Sequence, residues 1–101
     1  MPFDWDEAKN SANMLKHGIR FEEACLIFHG HVLTSIDGRF DYGEIRYVSI
    51  GQIRGVVTVV LVHTDRDGII RIISARLANR REKRKYHDSF PGAPPATGLT
   101  Q

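Results

Sequence analysis

At 101 residues, 42% hydrophobic and 26% charged, the chain is sized for one small domain with one modest core. Its one cysteine, Cys25, rules out an intramolecular disulfide, and no run approaches the roughly 18 apolar residues of a membrane helix. The net charge of +2 hides a gradient: residues 1–45 sum to −4, while residues 66–87 set eight Lys/Arg against two Asp/Glu, the footprint of a domain that meets a polyanion.

In chain order, Asp4 reads as a helix N-cap, with Glu7 as its capping-box partner and Phe3 and Ala8 as a hydrophobic staple. Ala8, Ala12 and Leu15 keep the helical period, so a first helix is expected over 5–17, with Gly18 ending it. Phe21, Ala24, Cys25 and Phe28 predict a second helix over 20–29, closed by Gly30. The period then changes. Strands are expected over 32–36, 45–50, 56–64 and 69–75, with a loop over 37–43 and turns at 51–55 and Asp67-Gly68. The 56–64 run is apolar on both faces, as a central strand covered on both sides would be. A polar third helix is expected over 77–88. Residues 89–101, with three prolines, two glycines and no charge, read as a disordered tail outside a domain of residues 1–88. The layout is α+β: two N-terminal helices, a four-stranded antiparallel sheet in meander order, and a C-terminal basic helix.

No ligand set for a metal is visible. His29-Gly30-His31 lacks partners, Asp65-Arg66-Asp67-Gly68 reads as a hairpin rather than a calcium loop, and no phosphate-binding glycine pattern occurs, so no cofactor is expected. Cys25 lies on an apolar stripe and reads as core. The acidic opening lacks the apolar region of a signal peptide, so a cytoplasmic location is expected.

Candidate chemistry lies in the basic segment. Arg76, Arg80, Lys83 and His87 are spaced 4, 3 and 4 apart and would share one face of the terminal helix, with Arg71 on the strand before it. Arginine forks match phosphate oxygens bidentately. Arg71 and Arg76, however, are five apart and point opposite ways on a regular strand, so they converge only past the strand end or across a bulge. Tyr86 can stack a base or share a proton, and His63 ends the central strand as a candidate base or a satisfied structural histidine. Arg46, on the face opposite Ile45 and Tyr47, is a further candidate RNA contact. The plain alternative, a solvated helix surface, accounts for Arg81, Arg84 and Lys85 better than for Arg71, which sits among isoleucines.

The block from Phe3 to Lys9 (Phe-Asp-Trp-Asp-Glu-Ala-Lys) joins Asn13, the run from Lys16 to Ala24, Phe28, Gly51, Arg71-Ile-Ile-Ser-Ala-Arg76, Glu82 and Tyr86. Together these resemble the BrnT family of type II toxin–antitoxin toxins over about residues 3–87. The resemblance implies a RelE-like ribonuclease fold and a toxin that cleaves RNA to stop translation. It also implies a BrnA-type antitoxin partner, whose complex with the toxin can bind promoter DNA. Arg71 and Arg76 are then the expected phosphate clamps of a metal-independent endoribonuclease, Arg80, Lys83 and Arg46 its RNA contacts, and Tyr86 or His63 its proton-transfer partner. The alternative is a non-catalytic module that binds nucleic acid or a partner. Spacing for a helix-turn-helix is absent, because the two acidic helices precede the basic segment.

Overall fold

The computed structural model describes residues 2–38 and 43–91. The expected tail beyond residue 91 and the middle of the 37–43 loop lie outside the described residues. Three α-helices, α1 (Glu7–His17), α2 (Phe21–Ala24) and α3 (Arg80–Asp88), pack on a sheet of β1 (Phe3–Asp4), β2 (Val32–Ile36), β3 (Tyr47–Ile53), β4 (Val57–Arg66) and β5 (Ile69–Leu77). The sheet order is β1-β5-β4-β3-β2.

The meander from β2 to β5 is antiparallel as expected, but the sheet is mixed and has five strands. β1 runs parallel to β5, with Phe3 opposite Ile70 and Asp4 opposite Arg71. A two-residue strand has no period to read, and its partner lies at the far end of the chain. Asp4 is therefore not the cap of α1. Asp6 is, accepting from the N–H groups of Ala8 and Lys9. The expected second helix is also corrected. Only Phe21–Ala24 is α-helical, with no side-chain cap on its first turn, and Cys25–His29 tightens into a 3-10 helix. The third helix begins at Arg80 rather than 77, because Asn79 caps it in a reciprocal box with Glu82 and Leu77 is still strand.

β4 is covered on both faces, and side-chain parity divides the core in two. Phe21, Ile27, Leu61 and Ile72 fill the face under α1 and α2. Ile50, Val60, Ala78 and Tyr86 fill the face under α3. Gly51 lets the 3-10 helix approach, since a Cβ there would sit 2.7 Å from Ile27 Cβ. Past Arg71, β1 no longer covers the edge of β5. Buried Asn13 stands in for the missing strand, accepting from Ala75 N–H at 3.1 Å and donating to Ala75 O at 2.9 Å and Ile19 O at 2.9 Å.

Candidate nucleic-acid interface

β4 and β5 are joined at Asp67-Gly68, both at positive φ, which sets their register. That register slips once. Val62 faces Ser74 but His63 faces Ile72, so Ile73 is the extra residue of a β-bulge. Ile72 and Ala75 both enter the core under α1 and α2 although they are three apart. Arg71 lies opposite Thr64 and Arg76 opposite Val60, and those β4 partners are four apart. Both arginines therefore belong to the α3 face of the sheet. With their β4 partners four residues apart, they stand about 13 Å apart along the sheet at the usual strand rise, too far for one phosphate and suited to separate phosphates of one strand.

Each arginine is held by a carboxylate. Arg71 pairs with Asp4, and both side chains are partly exposed. Arg76 forks onto Glu82, Nη1 to Oε1 at 2.8 Å and Nη2 to Oε2 at 2.7 Å, while Nη1 also donates to Leu77 O at 3.3 Å. The Arg76 guanidinium holds the Glu82 carboxyl below its ordinary range. Since Glu82 also closes the cap of α3, one carboxylate fixes both the arginine and the start of the basic helix. The family resemblance contains Glu82, but its pairing with Arg76 needs the tight corner at Ala78-Asn79, which no spacing rule displays.

The expected helical row of Arg76, Arg80, Lys83 and His87 does not form, because Arg76 is on β5. Arg80 and Lys83 are exposed on α3. Lys83 lines a shallow cavity with Val57, Leu77 and Ala78, at the end of the sheet away from Arg71. Arg46 immediately precedes β3, and its carbonyl accepts from Asp37 N–H at 2.8 Å.

Neither proton-transfer candidate is brought to the arginines with a hand free. Tyr86 is 5% exposed and belongs to the core cluster of Ile50, Val60 and Ala78. Its hydroxyl donates to His31 O at 2.8 Å, and burial pushes its pKa up. His63 is on the other side of the sheet, opposite Tyr47 and Ile72, its ring against Phe28 and Tyr47. Its Nε2 meets Ser49 Oγ at 2.8 Å, and Ser49 meets Thr34 at 2.7 Å. Burial pushes the imidazole down to about 4. His63 shares its parity with Leu61 and Val59, but a strand apolar on both faces hid which parity was which.

Among the described residues, no three His, Cys, Asp or Glu side chains gather as a metal would need. His31 Nε2 is engaged with Ser89 Oγ at 2.8 Å. Cys25 is buried, its thiol pushed up to about 11 by desolvation, as a core residue rather than a nucleophile would be. Among the described residues, no helix is long and apolar enough to cross a membrane.

The family model described as the ribonuclease toxin BrnT of type II toxin–antitoxin systems matches residues 5–82. The crystal structure of the Brucella abortus ribonuclease toxin BrnT has a similar fold, with a TM-score of 0.60 at 22% identity. The likeness covers 79% of this chain and 99% of that one. A comparison with curated proteins finds no match. The family match spans α1 and α2, strands β2 to β5 and the Arg76–Glu82 corner, and the chain belongs to the BrnT family of ribonuclease toxins of type II toxin–antitoxin systems.

Proposed function

We propose that this chain is a cytoplasmic endoribonuclease that cleaves RNA without a metal and is neutralised by a cognate BrnA-type antitoxin. The observation that carries the reading is the Ile73 bulge, which turns Arg71 and Arg76 to one face of the sheet. An RNA strand lying along β5 would set two non-adjacent phosphates against the two forks, with Arg80, Lys83 and Arg46 as outer contacts. In the reaction, the 2′-hydroxyl attacks the adjacent phosphate, the P–O bond to the 5′-oxygen breaks, a 2′,3′-cyclic phosphate forms, and the hydroxyl proton passes by way of water to the departing 5′-oxygen. One arginine offsets the charge that builds on this phosphate while the other holds a phosphate farther along the strand.

The proton-transfer roles of Tyr86 and His63 find no geometric support in the resting chain, and this favours a second reading. In it, the basic face grips RNA, or a partner, without cutting. Incubating the purified protein with RNA, with and without EDTA, separates the two. Cleavage that survives chelation supports the proposal. Binding without cleavage supports the second reading, and cleavage restored only by added zinc or magnesium defeats the metal-free mechanism. Binding of promoter DNA belongs, on this reading, to the toxin–antitoxin complex, and a shift assay with the complex and with each partner alone tests it.

A further inference from the structure

The turn between β3 and β4 is closed by Val56 N–H to Ile53 O at 3.0 Å, and its central residues, Arg54 and Gly55, have φ of 53° and 71°. Two successive positive φ values are the pattern of a type I′ turn, whose first position ordinarily takes Asn, Asp or Gly. The β4–β5 turn follows that rule with Asp67-Gly68; this one places an arginine in left-handed backbone, at a cost. The position it gains is specific. Arg54 lines a cavity of about 350 Å³ with Ile53, Val57 and Leu77. Val56 is 78% exposed and Leu77 56% exposed, so the end of the sheet presents an uncovered apolar ridge. On its other side is the cavity of about 250 Å³ that Lys83 lines. Among the described residues, Glu23 is the one carboxylate lining either cavity.

We propose that this ridge is the antitoxin's docking surface, and that its occupant is an acidic amphipathic segment. That segment lays apolar side chains over Val56, Val57 and Leu77 and sets carboxylates against Arg54 and Lys83. The inference rests on the toxin–antitoxin reading above. Charge selects this occupant. A second copy of the chain in a two-fold contact would bring the same cations against one another. RNA would satisfy the cations but leave the apolar ridge in water. An acidic segment with apolar anchors satisfies both, taking affinity from the buried ridge and association rate from the cations. Leu77 directly follows Arg76, so a partner seated here abuts the Arg76–Glu82 corner and closes one end of the arginine face.

The test compares the full-length native chain with Leu77→Asp, Val56→Asp and Arg54→Gly. Each is titrated with the purified cognate antitoxin and assayed for RNA cleavage without it. Leu77→Asp and Val56→Asp are expected to weaken the complex by about tenfold or more, with free-toxin cleavage retained. Arg54→Gly is expected to slow association several-fold at low salt, with no difference at high salt and no fall in melting temperature. Should Leu77→Asp fold poorly, Val56→Asp, on the exposed turn, decides alone. Native-like affinity in the aspartate variants overturns the proposal, as does a native chain that does not bind the antitoxin. So does a native chain that self-associates through the ridge and becomes monomeric in Leu77→Asp. If the native chain binds the antitoxin through the ridge yet cuts no RNA, the ribonuclease reading fails and the docking surface stands.

Discussion

Arg71 and Arg76 share one face of β5 although their spacing is odd, because Ile73 is inserted between them as a bulge. Without the bulge, one guanidinium would be buried against the core that holds Ile72 and Ala75, at the desolvation cost of an unpaired charge. The irregularity thus lets a strand with apolar residues on both faces carry two cations on one of them. Their carboxylate partners, Asp4 and Glu82, come from opposite ends of the described chain and keep both forks aligned.

The first expectation concerns those forks. Arg71→Ala and Arg76→Ala should each relieve growth arrest. The loss at the arginine that meets the scissile phosphate should be about 10² to 10³ in RNA cleavage, the usual cost of removing one donor to transition-state charge. The loss at the other should be smaller and read as weaker RNA binding. Circular dichroism should show both folded, since the ion pairs lost are partly exposed and contribute little to stability. Lys85→Ala should leave activity within a fewfold of native. Equal losses from all three, following net charge alone, would point to non-specific binding in place of catalysis.

The second concerns Asn13, whose amide serves both backbone groups of Ala75 and the carbonyl of Ile19. Asn13→Ala strips partners from buried N–H and C=O groups, each costing about 1–3 kcal/mol when left unsatisfied. A total loss of about 3 kcal/mol is expected, read as a fall of roughly 10 °C or more in melting temperature. Asn13→Asp should recover little, because a carboxylate cannot donate to Ala75 O. A melting temperature within a degree or two of native would show that the edge of β5 is satisfied another way.

The part of this architecture visible in the sequence is the part carried by local period and turn chemistry. The strands from 32 to 77, the Asp67-Gly68 hairpin and the first helix all have such signals, and the structure places them within a few residues of expectation. What escaped is non-local. Phe3–Asp4 looks like the approach to a helix because nothing nearby announces that Ile70 and Arg71 will pair with it. The odd spacing of Arg71 and Arg76 posed the right question, but a bulge leaves no composition mark. His63 was ambiguous because Val59 to Val62 is apolar at every position, and alternation identifies a face only where one side is polar.

The third expectation tests the close approach over β3. Gly51→Ala places a methyl 2.7 Å from Ile27 Cβ and 3.1 Å from a Val32 methyl. Both neighbours are anchored, Ile27 at 0% exposure in the core, so the 3-10 helix must move. A cost of about 1–3 kcal/mol is expected, as for other overpacked sites. The companion Ile27→Gly removes the Cβ that the new methyl would meet. The double variant should therefore cost less than the sum of the two, and strict additivity in denaturant unfolding would show that the glycine is not there for the contact.

The last expectation is a pH dependence set by His63. Its folded-state pKa, about 4, lies below the 6.5 of an unfolded histidine, because burial disfavours the imidazolium. The stability it contributes is therefore fully present above pH 6.5 and is lost as pH falls from there towards 4, where the folded protein must finally take up the proton that the unfolded chain already holds. The carboxylates with lowered pKa, Glu22, Glu44 and Glu82, act below their ordinary value of 4.5, so the window from 6.5 to 4.5 isolates the histidine. Across that window, denaturant midpoints should fall by an amount worth about 2 kcal/mol, with a slope approaching one proton per molecule. His63→Gln keeps a polar group for Ser49 and has nothing to titrate, so its stability should be nearly flat over the same range. The pH profile of RNA cleavage should carry no inflection from His63 between 6 and 7. A native profile that is flat from 6.5 to 4.5, or a cleavage inflection near neutrality that disappears in His63→Gln, would mean that the imidazole is hydrated and titrates in the working enzyme.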